Sequence, residues 1–573
     1  LSGDLQNTGA TLSSGADMNL IVDGDATFTA KEIEKETEKD SGFAYNREYS
    51  KTNQMSQVSA GGNINVTSQK TISIEGANIN SEASIELAAK ENVVVKSVRD
   101  VYEKEDRWSM KSGGWFGVNA SYDNSKSANV VQGSNVGAEG SIKISSGDTV
   151  DVRASTLGAG KNLQVQAGNK ITIAGEQSAY SQTNSSRVKG FLKKDISRKH
   201  TSNNQYQGAM LIAGENLDIA TDSDVQVTGS TLAAEGNVTV SGADVVLDTG
   251  TSTSSSSSYE KHAGLFAEGM DGGFGFSIGY RKTTDKANTD QTQAVGSSIG
   301  AGKNLTVAAQ NNVNATAATL TAGNDISITA QEDITIQAGQ NTFEQSQSHK
   351  QSQIAFSAGF KAPIINNVKA LSENAQNATS GKGNAINQAV TAASSTLKAI
   401  DAAKNIATGS WVTAENGFEL STRKSSSQQQ STSAQQSIIN AKNDVTLDAG
   451  SNLALVGSDI SAEGDIKLVA GDDLNIEAAK QSASGSSKNS SSSIGIKLVT
   501  GYNPMTGGSM SLNMSAGGSS GNSEWQSQTH QNAAVSAGDK LTIKTGDDAR
   551  IAGAKLTANE ISATIDGALE VKS

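Results

Sequence analysis

Apolar residues recur along this chain in a fixed register. The phrase "AGKNLTV" at 301–307 returns with one change as "AGKNLQV" at 159–165. From the apolar anchor of such a phrase, steps of 8, 7 and 6 residues reach further apolar positions: Leu305 leads to Val313, Leu320 and Ile326. The same steps lead from Leu217 to Val225, Leu232 and Val238, and another step of 8 leads to Val246. Each anchor opens an alternating triplet such as "LTV" or "ISI", and alternation of period 2 marks a short strand with one buried face. Gly, Asn and Asp between the triplets supply turns. Three short strands per 21-residue cycle cannot bury their apolar faces alone, so the cycles must stack. The expected fold is therefore all-β: a parallel β-helix, or β-solenoid, of three-strand rungs.

The register breaks at one point only, after the second strand of every second rung. Six insertions leave there, at about 29–56, 97–134, 175–209, 250–297, 339–437 and 479–533. Their stems are rich in Ser and Gln, and their interiors return to period 2. Phe116, Val118 and Tyr122 share one face of a strand, as do Phe274, Phe276, Ile278 and Tyr280. Ile354, Phe356 and Phe360 repeat the pattern, and Ile494, Ile496 and Leu498 are expected to face Met510, Leu512 and Met514 across the turn "NPMTGG". These stretches read as hairpins. Two rungs rise about 9.6 Å and a hairpin is about 9.6 Å wide, so neighbouring hairpins are expected to pair into a second sheet. The longest insertion also carries Ile386, Val390, Ala393, Leu397 and Ile400 at helical spacing, which predicts helices within about 365–407. Large exposed apolar patches are uncommon, so in the free protein the hairpin faces are expected to cover the solenoid or one another.

Composition removes several function classes. The net charge is −13 among 573 residues, which argues against a nucleic-acid binder, since that needs a basic footprint. The absence of Cys removes disulfides and thiol chemistry. No apolar run reaches the 18 residues of a transmembrane helix. "AGK" lacks the spacing of a phosphate loop, with Asn where Ser or Thr would follow Lys, and reads as a turn before a strand. The acids of "GDD" at 471–473 and 546–548 read as solvated turn residues. His200, His262, His349 and His530 all lie in insertions with no zinc or triad spacing. No catalytic residue, metal ligand or cofactor is expected, and no enzyme activity. Both ends cut a cycle, so the chain is expected to be a section of a longer protein.

The phrases "STLAAEGNVTVSGADVVL" at 230–247 and "ATLTAGNDISITAQEDITIQAGQ" at 318–340, with Ser-rich breaks followed by stretches such as "SSSSIGIKLVTG", resemble haemagglutinin repeats of two-partner-secreted exoproteins. They are similar to the second repeat region of contact-dependent growth-inhibition toxin exoproteins and filamentous haemagglutinin precursors. The resemblance implies a bacterial cell-surface or secreted protein, exported by an outer-membrane partner through a region outside this chain and held in the periplasm before deployment. It implies a toxin domain at the far C-terminus, which this section helps deliver across the target cell's outer membrane. The hairpin apolar residues would then engage that membrane or its proteins. A rigid adhesin shaft with surface-binding loops is the alternative.

Overall fold

The computed structural model describes residues 1–114, 117–269, 273–361, 412–503 and 507–573. The helices expected within 365–407, and Phe116, lie outside these residues. Among the described residues every regular element is a strand. Three parallel sheets of 14, 13 and 13 strands run the length of a β-helix, and a 12-stranded antiparallel sheet stands beside it.

The apolar register becomes three columns of buried side chains. In one, Leu217, Val238, Leu305, Ile326 and Val445 are successive partners in parallel register, each exposed by 1% or less. One rung departs from the expected steps. Val245, not Val246, pairs with Val225 and is buried, because the Gly242–Asp244 turn is one residue shorter than its counterpart at 309–312.

The repeated phrase now has physical reasons. A Cβ on Gly302 would lie 2.0 Å from the Glu235 carbonyl oxygen of the rung before, so the coils stack this closely only without a side chain there. The Asn that follows builds a ladder. The Asn237 N–H donates to Asn216 Oδ1 at 3.0 Å, the Asn304 N–H to Asn237 Oδ1 at 3.2 Å, and the Asp325 N–H to Asn304 Oδ1 at 3.4 Å. A second ladder runs through Asp244, Asn312, Asp333, Asn452, Asp473 and Asp548. Two acids of the "GDD" turns, Asp473 and Asp548, are thus acceptors for the next coil's backbone rather than simply solvated. Asp473, Asp547 and Asp548 bring carboxylate oxygens within 4.8 Å of one another, and the ladder accounts for two of the three.

All six hairpins leave the same corner, from a strand of the 14-stranded sheet to the next strand of a 13-stranded one. In the intervening rungs that corner is closed by one residue of positive φ: Gly9, Gly76, Ala154, Gly229, Ala317, Gly457 and Gly553. A hairpin fills two strand widths at the corner, so the next coil must turn tightly. That alternation gives the two-rung period, and it pairs neighbouring hairpins edge to edge into the 12-stranded sheet.

Candidate functional site

The hairpin strands lengthen along the chain. Lys31–Asp40 and Ala44–Gln54 form the first hairpin, Val98–Lys111 and Asn119–Gln132 the second, Glu176–Gly190 and Lys193–Gln207 the third. Gly250–Gly269 and Gly273–Val295 form the fourth, Gly339–Lys361 and Val412–Gln435 the fifth, Ala479–Asn503 and Gly507–Gln531 the sixth. Lys193, at the tip of the third, is opposite Gly264. The last three hairpins therefore project beyond the first three.

The projecting part has one apolar face. Residues opposite each other in antiparallel register share a face, so the pairings place Met514, Ile496, Phe418, Phe356 and Ile278 in one row across five strands. The next row toward the solenoid holds Ile494, Leu420, Ile354, Tyr280 and Leu265. The next row outward contains Leu512, Leu498 and Phe276, interrupted by Asn416 and Ala358. The positions between them on the reverse face are mostly small or polar, among them Ser277, Gly279, Ser357, Gly417, Gly495 and Ser515.

This face is uncovered, contrary to the sequence-based expectation. Phe356 is 52% exposed, Ile494 59% and Met514 73%. The cause is geometric: the strands extend away from the solenoid, and side chains on one side of a single sheet meet only their in-plane neighbours.

The structure gathers most, but not all, of the residues singled out by sequence. Phe276, Ile278, Tyr280, Ile354, Phe356, Ile494, Ile496, Leu498, Leu512 and Met514 share the face. Across the last turn the pairing is Ile496 with Met514 and Leu498 with Leu512, while Ile494 faces Ala516 and Met510 faces Thr500. Phe274 and Phe360 are backbone partners one row further out. Tyr122 belongs elsewhere: following the register through Ser186 and Ser197 to Glu260 puts it on the reverse face, beside Trp108. Val118 precedes that strand and meets Gly190. Leu265, Phe418 and Leu420 went unnoticed, although "GFELS" alternates as the others do.

Several charges on the reverse face are paired. Arg281 meets Glu268 at 2.8 Å and Gln353 at 2.8 Å, with its guanidinium 4.3 Å from the Phe266 ring centroid. Lys497 meets Glu415 at 2.6 Å, His262 meets Asp195 at 3.2 Å, and His349 bonds Asp285. No helix among the described residues is long and apolar enough to cross a membrane. The apolar face is built of strands.

The family model described as Hemagglutinin repeat matches residues 41–177, 190–288, 278–413 and 418–573. The chain is similar to a "tRNA nuclease CdiA" of Escherichia coli (strain STEC_O31), 26% identical over 99% of this chain and 17% of that protein. It is also similar to a "16S rRNA endonuclease CdiA" of Enterobacter cloacae subsp. cloacae, 28% identical over 75% of this chain and 14% of the relative. A "tRNA nuclease CdiA-2" of Burkholderia pseudomallei is 26% identical over 44% of the chain and 9% of the relative. The chain thus spans no more than 17% of the length of these relatives. No solved structure matches.

Proposed function

This chain belongs to the haemagglutinin-repeat family, and on that premise we propose that it is a non-catalytic section of a bacterial surface exoprotein that helps deliver a C-terminal toxin across a target bacterium's outer membrane. The likeness to proteins named as toxin nucleases supports the class of system. On this reading a nuclease activity like the one in those names belongs to parts of the exoprotein outside these residues. Export then uses an outer-membrane secretion partner, with the chain held in the periplasm before deployment.

The observation carrying this reading is the exposed apolar face of the projecting hairpins. Apolar side chains on one face alternate with Gly, Ser and a few paired charges on the other, the dyad pattern of strands that meet lipid. A soluble sheet gains nothing by exposing rows of Phe, Ile and Met to water. From the Tyr280 row to the Met510 row is six residues, or about 20 Å at the rise of a strand. An outer-membrane barrel carries an apolar band of about 25 Å, so in this conformation the tips enter the membrane without crossing it.

The test is delivery by the intact exoprotein. Ile278→Asp with Phe356→Asp should abolish target-cell intoxication while export and attachment to target cells persist. Undiminished intoxication by this variant would refute the reading.

A further inference from the structure

Directly behind the apolar rows, the same face turns basic. The row after Tyr280 contains Lys189, Lys194 and Lys282. The next contains Lys261, Lys350 and Lys424. No Asp or Glu stands in either row among the described residues. A third row adds Lys286 and Lys488. Acids return at the far end of this third row, at Asp123, and behind it at Asp290, Glu344 and Glu524. In a chain of net charge −13, this zoning is not a consequence of composition.

The belt is unneutralised. Lys350 is directly opposite Lys424, and Lys189 opposite Lys194, an arrangement that costs stability in a sheet. None of these six lysines (Lys189, Lys194, Lys261, Lys282, Lys350 and Lys424) has an ion-pair partner among the described residues, whereas the reverse face pairs Arg281 and Lys497 with acids. Repulsion from Lys261 foremost, then desolvation, Lys189, Arg187 and Lys282 hold the Lys194 ammonium below its ordinary pKa.

We propose that this face docks on a lipid surface bearing phosphate groups, the lysine belt meeting the phosphates while the Ile354 and Phe356 rows enter the acyl layer. The two zones are in the right order and spacing. Lys424 is four residues behind Leu420, or about 14 Å along the strand, so the charges reach the headgroup level when the apolar rows are immersed. The inference rests on the membrane reading above and adds the chemistry and orientation of contact.

Vesicle flotation of this chain tests it, with phosphatidylcholine vesicles and with vesicles in which one third is phosphatidylglycerol. The native chain should prefer the anionic vesicles and lose that preference in high salt. A quadruple variant, Lys261→Gln, Lys282→Gln, Lys350→Gln and Lys424→Gln, should lose on the order of a thousandfold in anionic-vesicle binding and keep its weaker binding to neutral ones. Arg281→Gln on the reverse face should bind as the native chain does. Equal native affinity for both vesicles, or a quadruple variant bound as tightly as the native chain, would overturn the belt's role. The same would follow if duplex DNA competed the vesicles off at equal concentration. Failure of the native chain to bind either vesicle would instead sink the membrane reading itself.

Discussion

The Ser437 hydroxyl donates to the Gln337 carbonyl at 2.6 Å, across 100 residues of intervening chain. It clamps the base of the fifth hairpin, joining the residue where the strand leaves the solenoid to the one where it returns. Ser56 does this with Thr29, Ser134 with Lys96 and Ser297 with Asp248. At the third and sixth hairpins, Ala209 and Ala533 occupy the place. Ser437→Ala should therefore be tolerated, at a cost of about 2 kcal/mol for the two lost bonds, the one to Gln337 and the one accepted from the Ala318 N–H. Hydrogen exchange should quicken at the stem of the fifth hairpin and not at the sixth.

The closed corners are less forgiving. Gly229 has φ +50°, and a Cβ there would meet the Gly250 nitrogen at 2.8 Å and the Val295 carbonyl oxygen at 2.9 Å. Ala317 tolerates a similar φ of 47° at 2% exposure, so the conformation alone is survivable. Gly229→Ala should cost about 2 kcal/mol or more, combining the left-handed backbone penalty with backbone collision. Chemical denaturation of the two variants Gly229→Ala and Ala317→Gly should show a large loss for the first and a much smaller change for the second.

Burial separates two isoleucines of similar sequence context. Ile326 is 1% exposed in the solenoid, while Ile278 is 47% exposed on the hairpin sheet. Ile326→Ala should cost about 2–5 kcal/mol, confined by the linear architecture to neighbouring rungs. Ile278→Ala should shift stability by about 0.5 kcal/mol or less. Protease mapping after mild denaturation should find new cuts only in the first.

Asp244 should make the solenoid acid-sensitive. Partial burial raises its pKa, but the Asn312 and Asn311 side chains and the Asn312 N–H outweigh this, leaving it below the ordinary 3.8. A carboxylate depressed in the fold contributes stability above its unfolded pKa, and the contribution is lost as pH falls through the folded value. Asp244→Asn keeps the Oδ1 acceptor of the ladder, as Asn312 and Asn452 do naturally. Between about pH 5 and about pH 2, the denaturation midpoint of the native chain should fall further than that of the variant.

The solenoid was legible because each core position is apolar in rung after rung, and a strand's period of 2 fixes which side chains turn inward. The Asn ladder was also written in the sequence, as a polar residue just before each strand, but its partner is a rung away and no local pattern names it. The hairpins were legible one at a time. What joins them was not: a face shared between hairpins depends on the relative register of separate strands, and a shift of one residue reverses it. Tyr122 and Tyr280 have the same local alternation yet fall on opposite sides. The basic belt was hidden for the same reason, since Lys282, Lys350 and Lys424 lie in three different strands until the pairing aligns them.

The match between two coils and one hairpin also limits how such a chain can change length. Removing a single 21-residue rung would leave a hairpin beside a neighbour displaced by one strand spacing, with its edge unpaired. Removing two rungs with their hairpin restores the fit. Insertion, duplication and exchange between related chains are therefore tolerated in whole double-coil modules, and the module rather than the rung is the unit that recombination can pass on intact.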